Sequence, residues 1–325
     1  MLNDKNSAKI SKFSKLLIGL TAFLTILYIL SFTKSCTSAD RRESIKTALV
    51  NQKYRDTISF ITLQDATGSL ELYNYKGFWT LQRLSDYTSS QFQDTPSIPV
   101  SQERMNNFLN ELTTIRNLYK ISDKINKNSS LGLTNGTEFH ITYSSDTDNS
   151  LNTFRELIFG NQDFSLSSRY LMTSQYTQVY EIDDSMDAYL TTSIQSWAEP
   201  YLISQTVLGK ITPQDIQRTQ VAEISRNHLG SISDVQKLLD LRHGGIPELN
   251  DLNFLLPEYA QMPDIVINLE LGNKNEIALC FFKTEKENEF VVIVDYKTDK
   301  ATEPVFTSTE KISSWTYNKI KEITL

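Results

Sequence analysis

Three histidines are the residues of this 325-residue chain best suited to acid–base or metal chemistry, and they lie far apart in the sequence. His140 lies on the polar side of an alternating segment, His228 precedes a glycine turn, and His243 lies in a Gly-containing segment. The sequence contains no H-E-x-x-H motif and no other paired spacing that would place two imidazoles on one helix face to bind zinc. The sequence therefore predicts no metal site.

The cluster most like a binding site consists of Arg242, His243, Gly244 and Gly245. Glycines let a backbone approach a ligand closely, which favours a bound molecule beside His243. A tight turn after a helix explains the same residues without any ligand, because helices commonly end in glycine. The second interpretation is the one we favour from the sequence.

Motifs for nucleotide binding and nucleophilic catalysis are absent from the sequence. Neither G-x-x-x-x-G-K-[ST] nor G-x-G-x-x-G after a strand occurs. Ser233, in the run GSIS at 230–233, lacks the second glycine of a nucleophile elbow and is interpreted as a helix cap. Cys280 lies among strand residues, where a free thiol is typically a small buried apolar group.

The run DTDNS at residues 146–150 resembles the start of a calcium-binding loop, with oxygen ligands on alternate residues. Leu151 replaces the glycine at the sixth position and Leu157 replaces the glutamate at the twelfth, so a solvated hairpin loop is predicted instead. These observations together predict no catalytic, cofactor-binding or metal-binding residue, no cofactor, and a protein that is not an enzyme.

Tyr73, Tyr75, Phe78 and Trp79 form a cluster of aromatic residues. Alternating core packing explains most of them. The alternative is an exposed platform for a glycan or a peptide, since exposed aromatic side chains often anchor partners.

Composition bounds the class of protein. The chain is 39% hydrophobic and 22% charged, which is ordinary for a globular protein of about two domains. It carries 32 basic and 39 acidic residues, so the basic excess of a dedicated nucleic-acid binder is missing. Two cysteines, Cys36 and Cys280, are too few for a disulfide framework.

The N-terminal segment at residues 13–33 gives the clearest signal of location. Residues 13–32 contain one charge, Lys15, and as a helix they span about 30 Å, one hydrocarbon core. We predict a transmembrane anchor at 13–33 that contacts membrane lipid, preceded by a short cytoplasmic tail at 1–12. Two alternatives are a signal peptide cleaved near residues 37–39 and lipidation at Cys36.

The remaining chain is predicted to lie on the extracytoplasmic, periplasmic side of the cell membrane. It divides into a stalk at 34–56, a first α+β unit at 57–200 and a second α+β unit at 201–325. The predicted fold class is α+β, an N-terminal transmembrane helix followed by two units of antiparallel β-meander packed with α-helices. The order of strand, helix, meander and helix occurs twice, which suggests a duplication.

Alternating polarity predicts strands at 58–63, 69–75, 78–84, 139–144, 153–159, 169–173, 178–182, 219–224, 265–271, 277–283 and 290–296. A spacing of three and four predicts helices. One begins at Ser101 and carries apolar residues from Met105 to Ile115 and Tyr119; a second begins at Asp183 or Asp184 and ends before Pro200. Two later helices are predicted to carry Val235, Leu238 and Leu239, and Ile312, Trp315, Ile320 and Ile323.

Three short motifs indicate a family. They are Gly77-Phe78-Trp79-Thr80-Leu81, Leu131-Gly132-Leu133 after a capped helix, and the strand end at residues 178–183, QVYEID. Over roughly residues 70–200 the chain resembles the domain of unknown function 4340 family, although Leu131 replaces the usual tyrosine.

The resemblance implies an auxiliary component of an ABC-type exporter, related to the gliding-motility type, and it implies no catalytic residues. We therefore expect a non-enzymatic, single-pass envelope protein whose partners are ABC permease and ATPase subunits or another envelope protein. Sheet edges or the aromatic hairpin around Trp79 would supply the contact surface. The alternatives are an envelope module that binds a polysaccharide or peptide, and an envelope hydrolase with dispersed Asp, Glu or Ser residues.

Overall fold

The computed structural model describes residues 20–26, 28, 43–83, 97–122, 129–144, 152–223, 226–229, 234–248, 251–253, 261–299, 301 and 303–324. Over these residues the protein is an α+β structure, in which antiparallel strands form two sheets and a few short helices cover them. The antiparallel α+β class predicted from the short connections is confirmed.

The first sheet contains ten strands among the described residues. They are β1 (Ser44–Thr47), β2 (Ile58–Asp65), β3 (Gly68–Tyr75), β4 (Phe78–Arg83), β5 (Ile98–Pro99), β6 (Arg116–Ser122), β7 (Thr137–Ser144), β8 (Asn152–Gln162), β9 (Ser168–Thr173) and β10 (Tyr176–Asp183). Their spatial order is β1-β6-β10-β9-β8-β7-β2-β3-β4-β5. Strands β7 and β8 therefore lie in the middle of the sheet.

The second sheet contains six strands in the described part of the chain. They are β11 (Ile216–Glu223), β12 (Arg226–Leu229), β13 (Ile265–Leu271), β14 (Glu276–Lys283), β15 (Glu289–Lys297) and β16 (Phe306–Ser313). Their spatial order is β12-β11-β13-β14-β15-β16. The two sheets meet at their edges, where the backbone N–H of Thr309 donates to the carbonyl of Ser97, next to β5, at 3.2 Å.

Besides the helical residues near the N-terminus, the α-helices in the described part of the chain are α1 (Gln102–Thr113), α2 (Ile194–Trp197), α3 (Val235–Leu239) and α4 (Ser314–Thr324). Helix α1 begins after Ser101, whose hydroxyl oxygen accepts a hydrogen bond from the N–H of Arg104, as the cap pattern predicts. Its buried stripe covers the inner face of the first sheet, where the Phe108 ring lies 5.5 Å from that of Phe139 on β7.

The two sheets have separate cores, and the second sheet contributes side chains to both. Tyr317, Ile320 and Ile323 of α4 pack on one face of the second sheet. From the opposite face, Phe282 and Val291 pack into the core of the first sheet. Helix α1 and the second sheet thus cover the inner face of the first sheet. Because side chains alternate along a strand, every second side chain of β7 and β8 points to the opposite, outer face.

The predicted continuation of α1 through Ile115 and Tyr119 is wrong. Helix α1 ends at Thr113, Ile115 is 60% exposed, and Tyr119 lies on β6. The run Thr113-Thr114-Ile115 consists of β-branched residues, which lose side-chain freedom in a helix and favour extended backbone. The strand that follows pairs with both β1 and β10.

The single helix predicted from Asp183 to Pro200 is also wrong. A 3₁₀ turn at Asp184–Tyr189 is followed by extended residues and then by the short helix α2. The extended residues include Thr192, whose N–H and hydroxyl both donate to the carboxylate of Asp65. Hydroxyl residues that bond to distant groups in this way compete with helix formation.

The last predicted helix begins later than expected, at Ser314, and Ile312 lies on β16. Trp315, predicted as one of its apolar residues, is 64% exposed. The described part of the predicted stalk, residues 43–56, is folded: β1 pairs with β6, and Leu49 and Val50 are buried in the first core. The two sheets differ in strand number, and the internal duplication stays a prediction.

Of the predicted anchor at 13–33, the structure describes residues 20–26 and 28, which are helical. The rest of the anchor, the tail at 1–12 and Cys36 lie outside the described residues. Within the described part of the chain, no helix has the length and apolar character needed to cross a membrane.

Candidate binding face on the ten-stranded sheet

Two adjacent rows of side chains lie on the outer face of strands β3, β2, β7 and β8. The polar row consists of cross-strand neighbours, in the order Glu71, Thr62, His140 and Glu156. The aromatic row lies beside it, in the order Tyr73, Phe60, Thr142 and Phe154. We call these eight residues the binding face.

The aromatic row combines exposed and partly covered rings. Phe154 is 68% exposed, whereas the rings of Phe60 and Tyr73 pack against each other with 4.7 Å between their centroids. Rings held on adjacent strands lose little conformational entropy when a partner covers them, which makes them suitable anchors for binding.

Tyr73 connects the two rows through a hydrogen bond. Its hydroxyl donates to Oε2 of Glu71 at 2.5 Å. Partial burial raises the pKa of Tyr73 well above its usual range, and the negative charge of Glu71 adds to the rise. Tyr73 therefore stays neutral and holds the Glu71 carboxylate in place.

The side chains best placed to hold a metal ion are His140 and Glu156 of the polar row together with Glu138 beside them. Glu138 lies two residues before His140 on the same face of β7, and Glu156 lies opposite His140 on β8. One ligand atom from each of the three residues lies within 4.8 Å of the others. The sequence analysis missed this set because its members come from two strands and share no local spacing.

A small plug covers the neighbouring part of the outer face. Leu133, Ile158 and Val179 form an apolar cluster there, and Leu131 packs against it. The packing of Leu131 and Leu133 requires glycine at position 132 for two reasons. Its φ of +71° is a conformation that glycine adopts readily, and a Cβ there would lie 2.8 Å from the backbone nitrogen of Asn161. The Leu131-Gly132-Leu133 motif thus limits the binding face on one side.

The candidate cluster around His243 has a clear structural role. His243 Nδ1 accepts from the N–H of Gly245, and Nε2 lies 2.6 Å from the carbonyl oxygen of Glu199, to which it donates. Gly244 and Gly245 in turn exchange backbone hydrogen bonds with Lys311 on β16. Both ring nitrogens are therefore occupied by backbone groups at the junction of the two sheets.

The predicted aromatic hairpin is divided among three environments. Trp79 is only 4% exposed and belongs to the first core, so it cannot supply a contact surface. Phe78 and Tyr75 contact Phe306 of the second sheet. Of the four predicted aromatic residues, only Tyr73 lies on the binding face.

Cys280 is partly buried against the first core, and burial raises the pKa of its thiol. This environment suits the small apolar group that the sequence predicts. The DTDNS segment at 146–150 and Ser233 lie outside the described residues, and α3 follows Asp234.

A second polar cluster is buried on the face of the second sheet that packs on α4. Ser204 donates from its hydroxyl to Glu199 and from its N–H to the Tyr296 hydroxyl. On β16, Ser308 donates to Glu310, and Glu310 and Tyr296 are both 0% exposed. Burial raises the pKa of the Glu310 carboxyl well above its usual range and so favours its protonated form.

Comparison with known proteins gives one match. The family described as "Domain of unknown function (DUF4340)" matches residues 79–241, half of the chain. This span runs from β4 to the residues after α3 and includes β7, β8 and the Leu131-Gly132-Leu133 plug. No curated protein and no solved structure matches the chain.

Proposed function

The chain belongs to the domain of unknown function 4340 family, and from this premise we propose that it is a non-enzymatic auxiliary subunit of an ABC-type transport complex. In this proposal a single N-terminal span anchors the protein in the cell membrane, with its N-terminus cytoplasmic. The folded domain lies on the extracytoplasmic side and binds other subunits of the complex, the ATPase being a separate chain.

Exposed apolar side chains in the N-terminal helical segment carry the anchoring part of the proposal. Leu20, Phe23, Leu24 and Ile26 are each between 55% and 60% exposed, so the folded domain does not cover them. Burying a large apolar side chain contributes about 1.5–3 kcal/mol, which a bilayer would provide.

The short connection between anchor and fold restricts where partners lie. Ten residues separate position 33 from Ser44 at the start of β1, and ten extended residues reach at most about 35 Å. The β1 edge of the first sheet is thus held close to the membrane surface. Such tethering raises the effective concentration of the domain near membrane-embedded partners.

Two surfaces of the first sheet suit a protein partner. The outer edge of β1 pairs with no other strand in the described part of the chain, so an extended segment of a partner could add to it. The binding face offers the exposed ring of Phe154 beside carboxylates and an imidazole. The aromatic anchor with a polar surround is typical of interface hot spots.

The polar clusters elsewhere support a role without catalysis. His243 is held by two backbone groups, and Glu310 is fully buried on the second sheet. A general acid or base must lie within hydrogen-bond reach of the reacting atoms. In this conformation neither the ring nitrogens of His243 nor the carboxyl of Glu310 is accessible to a substrate.

Crosslinking in native membranes tests the proposal. The full chain would be purified in mild detergent after crosslinking, and co-purifying proteins would be identified by mass spectrometry. We expect an ABC permease and ATPase at near-stoichiometric levels, and a clear loss of both in the variant Phe154→Ala. The matched control is Phe164→Ala, since Phe164 is fully exposed in the turn after β8 and lies off the binding face.

Recovery of the protein alone, with its anchor intact, would overturn the proposal. Topology is tested separately by fusing alkaline phosphatase to the C-terminus, where an exported domain gives an active enzyme. An inactive fusion, together with an active cytosolic reporter at the same site, would contradict the extracytoplasmic orientation.

The aromatic row also favours a second candidate function, an envelope module that binds a polysaccharide or peptide. A sugar ring stacks on exposed aromatic faces, and the carboxylates of Glu71 and Glu156 are placed to accept hydrogen bonds from its hydroxyls. A glycan array probed with the full chain in micelles separates the two functions. Binding that is lost in Phe154→Ala, without any co-purifying transporter, would favour the second.

A further inference from the structure

We propose that Glu138, His140 and Glu156 form a binding site for a divalent transition-metal ion, with Zn²⁺ the ion that fits the ligand set. The site would lie on the outer face of β7 and β8, open to solvent. The proposal does not rest on the transport function, because it follows from the three side chains alone.

The three residues converge because of strand register. His140 and Glu156 are directly opposed in the antiparallel pair, and Glu138 precedes His140 by one period of the strand. The Nε2 atom of His140 lies 3.9 Å from Oε2 of Glu138, and one ligand atom of each residue lies within 4.8 Å of the other two. The side chains thus already face a common point.

The chemistry of the donors selects the class of ion. Two carboxylates and one imidazole are ligands that Zn²⁺ and its first-row neighbours accept, whereas Mg²⁺ and Ca²⁺ prefer oxygen ligands alone. Two carboxylates on adjacent strands also repel each other, and a dication between them converts that repulsion into attraction. Three protein ligands leave a fourth tetrahedral position for water or for a side chain of a partner.

The required adjustment is small. Zinc–ligand bonds of about 2.0–2.2 Å place tetrahedral ligand atoms about 3.4 Å apart, so the present separations must shrink by roughly 1 Å. The side chain of His140 is 46% exposed and that of Glu138 is 25% exposed, so both can be reached from solvent.

The backbone beneath the site is rigid. Strands β7 and β8 pair without a break from Thr137 opposite Phe159 to Ser144 opposite Asn152, and β2 and β9 flank them. Glu156 is held further by Ser174, whose hydroxyl accepts from the Glu156 N–H and whose N–H donates to the Glu156 carbonyl, both at 3.0 Å. A site on central strands keeps its geometry better than one on loops.

A zinc titration of the full chain tests the proposal. The protein would be purified in micelles without a polyhistidine tag, stripped with a chelator and titrated against a competing fluorescent zinc indicator. Bound metal would be counted by mass spectrometry after dialysis. We expect one Zn²⁺ per chain, and affinity at least about tenfold weaker in His140→Ala and in Glu156→Gln.

Glu71→Gln provides the matched control, because Glu71 lies on the same face two strands from His140 and its replacement removes the same charge. It should change the affinity by less than about twofold, whereas a loss equal to that of Glu156→Gln would show diffuse attraction to acidic groups and overturn the site. Equal binding by wild type and His140→Ala would overturn it as well.

Two readouts separate loss of ligands from loss of folding. Without metal, wild type and His140→Ala should unfold at the same temperature, because the imidazole is exposed. With Zn²⁺ only the wild type should be stabilised, because a ligand stabilises the state that binds it. Co²⁺ should give a visible absorption band with the wild type that is absent in His140→Ala; bands of equal strength would contradict the proposal.

Discussion

The ring of Phe78, at the start of β4, meets the ring of Phe306, at the start of β16, edge to face with 5.2 Å between their centroids. The two residues belong to different sheets. Tyr75 lies 5.8 Å from the same Phe306 ring, and Tyr296 lies 6.2 Å from it. The tip of the β3–β4 hairpin therefore joins the first sheet to the second, on which α4 packs.

Replacing Phe78 by alanine should weaken this junction. The change removes the edge-to-face contact and part of the apolar burial, so we expect a loss of about 2–3 kcal/mol in the free energy of unfolding, measured by urea denaturation. Phe154→Ala makes the same chemical change at a site 68% exposed and should cost less than about 0.5 kcal/mol. Equal losses in the two variants would contradict a junction at Phe78.

Replacing Gly132 by alanine should disrupt the plug beside the binding face. A methyl group there meets the side chain and the backbone of Asn161, in addition to the strain of a positive φ. Gly209 has a similar φ of +82°, and a Cβ added there would meet nothing within 4 Å, so Gly209→Ala isolates the strain alone. We expect Gly132→Ala to lower the free energy of unfolding by at least about 1 kcal/mol more than Gly209→Ala does. A smaller difference would mean that Asn161 moves aside freely.

Replacing Glu310 by glutamine should change how stability depends on pH. Burial raises the pKa of Glu310, the hydrogen bond from Ser308 opposes the rise, and the charge of Glu199 adds to it. The unfolded chain releases the same proton near pH 4.5, so the stability that the protonated carboxyl provides is complete below that pH and is lost as the pH rises.

Glutamine carries no such proton and avoids the loss. The stability of Glu310→Gln relative to wild type should therefore grow between pH 5 and 8, by at most about 1.4 kcal/mol for each pH unit. Urea midpoints measured across this range provide the test, with Glu276→Gln on β14 as an exposed control. A constant difference between Glu310→Gln and wild type would show that Glu310 is ionised when buried.

Alternation of polarity predicted most strands because one face of each is buried. In β2 and β7 the inward residues are fully covered, and their alternation is visible in the sequence. Strands β1 and β12 were not predicted, since SIKT and RNHL are short edge segments with little alternation. Strand β16 was not predicted because two of its fully buried positions hold the polar residues Ser308 and Glu310, which removes the apolar alternation from its sequence.

The binding face could not be predicted for a different reason. Its rows run across strands, so neighbours in space such as Thr62 and His140 are 78 positions apart in the sequence. The spacing of residues along the sequence can reveal only pairs on the same strand, such as Glu138 and His140. Strand order decides which rows form, and β7 lies next to β2 although four strands separate them along the chain.

His243 gives a pH dependence of the opposite sign to that of Glu310. Burial lowers the pKa of its imidazole, and the hydrogen bond to Glu199 opposes this only in part. Protonation would also place a hydrogen on Nδ1, facing the N–H of Gly245. The unfolded chain takes up this proton near pH 6.5, so the stability linked to neutral His243 is complete above that pH and is lost as the pH falls.

The variant His243→Gln stays neutral and should lose less stability than wild type between pH 7 and 5. Urea midpoints give the comparison, and the imidazole C–H signals of the wild-type chain in micelles give a second readout that needs no variant. We expect the buried imidazole to take up its proton below pH 6.5. Parallel pH profiles for both proteins, or an imidazole that titrates at 6.5, would show that the contacts with Glu199 and Gly245 persist after protonation.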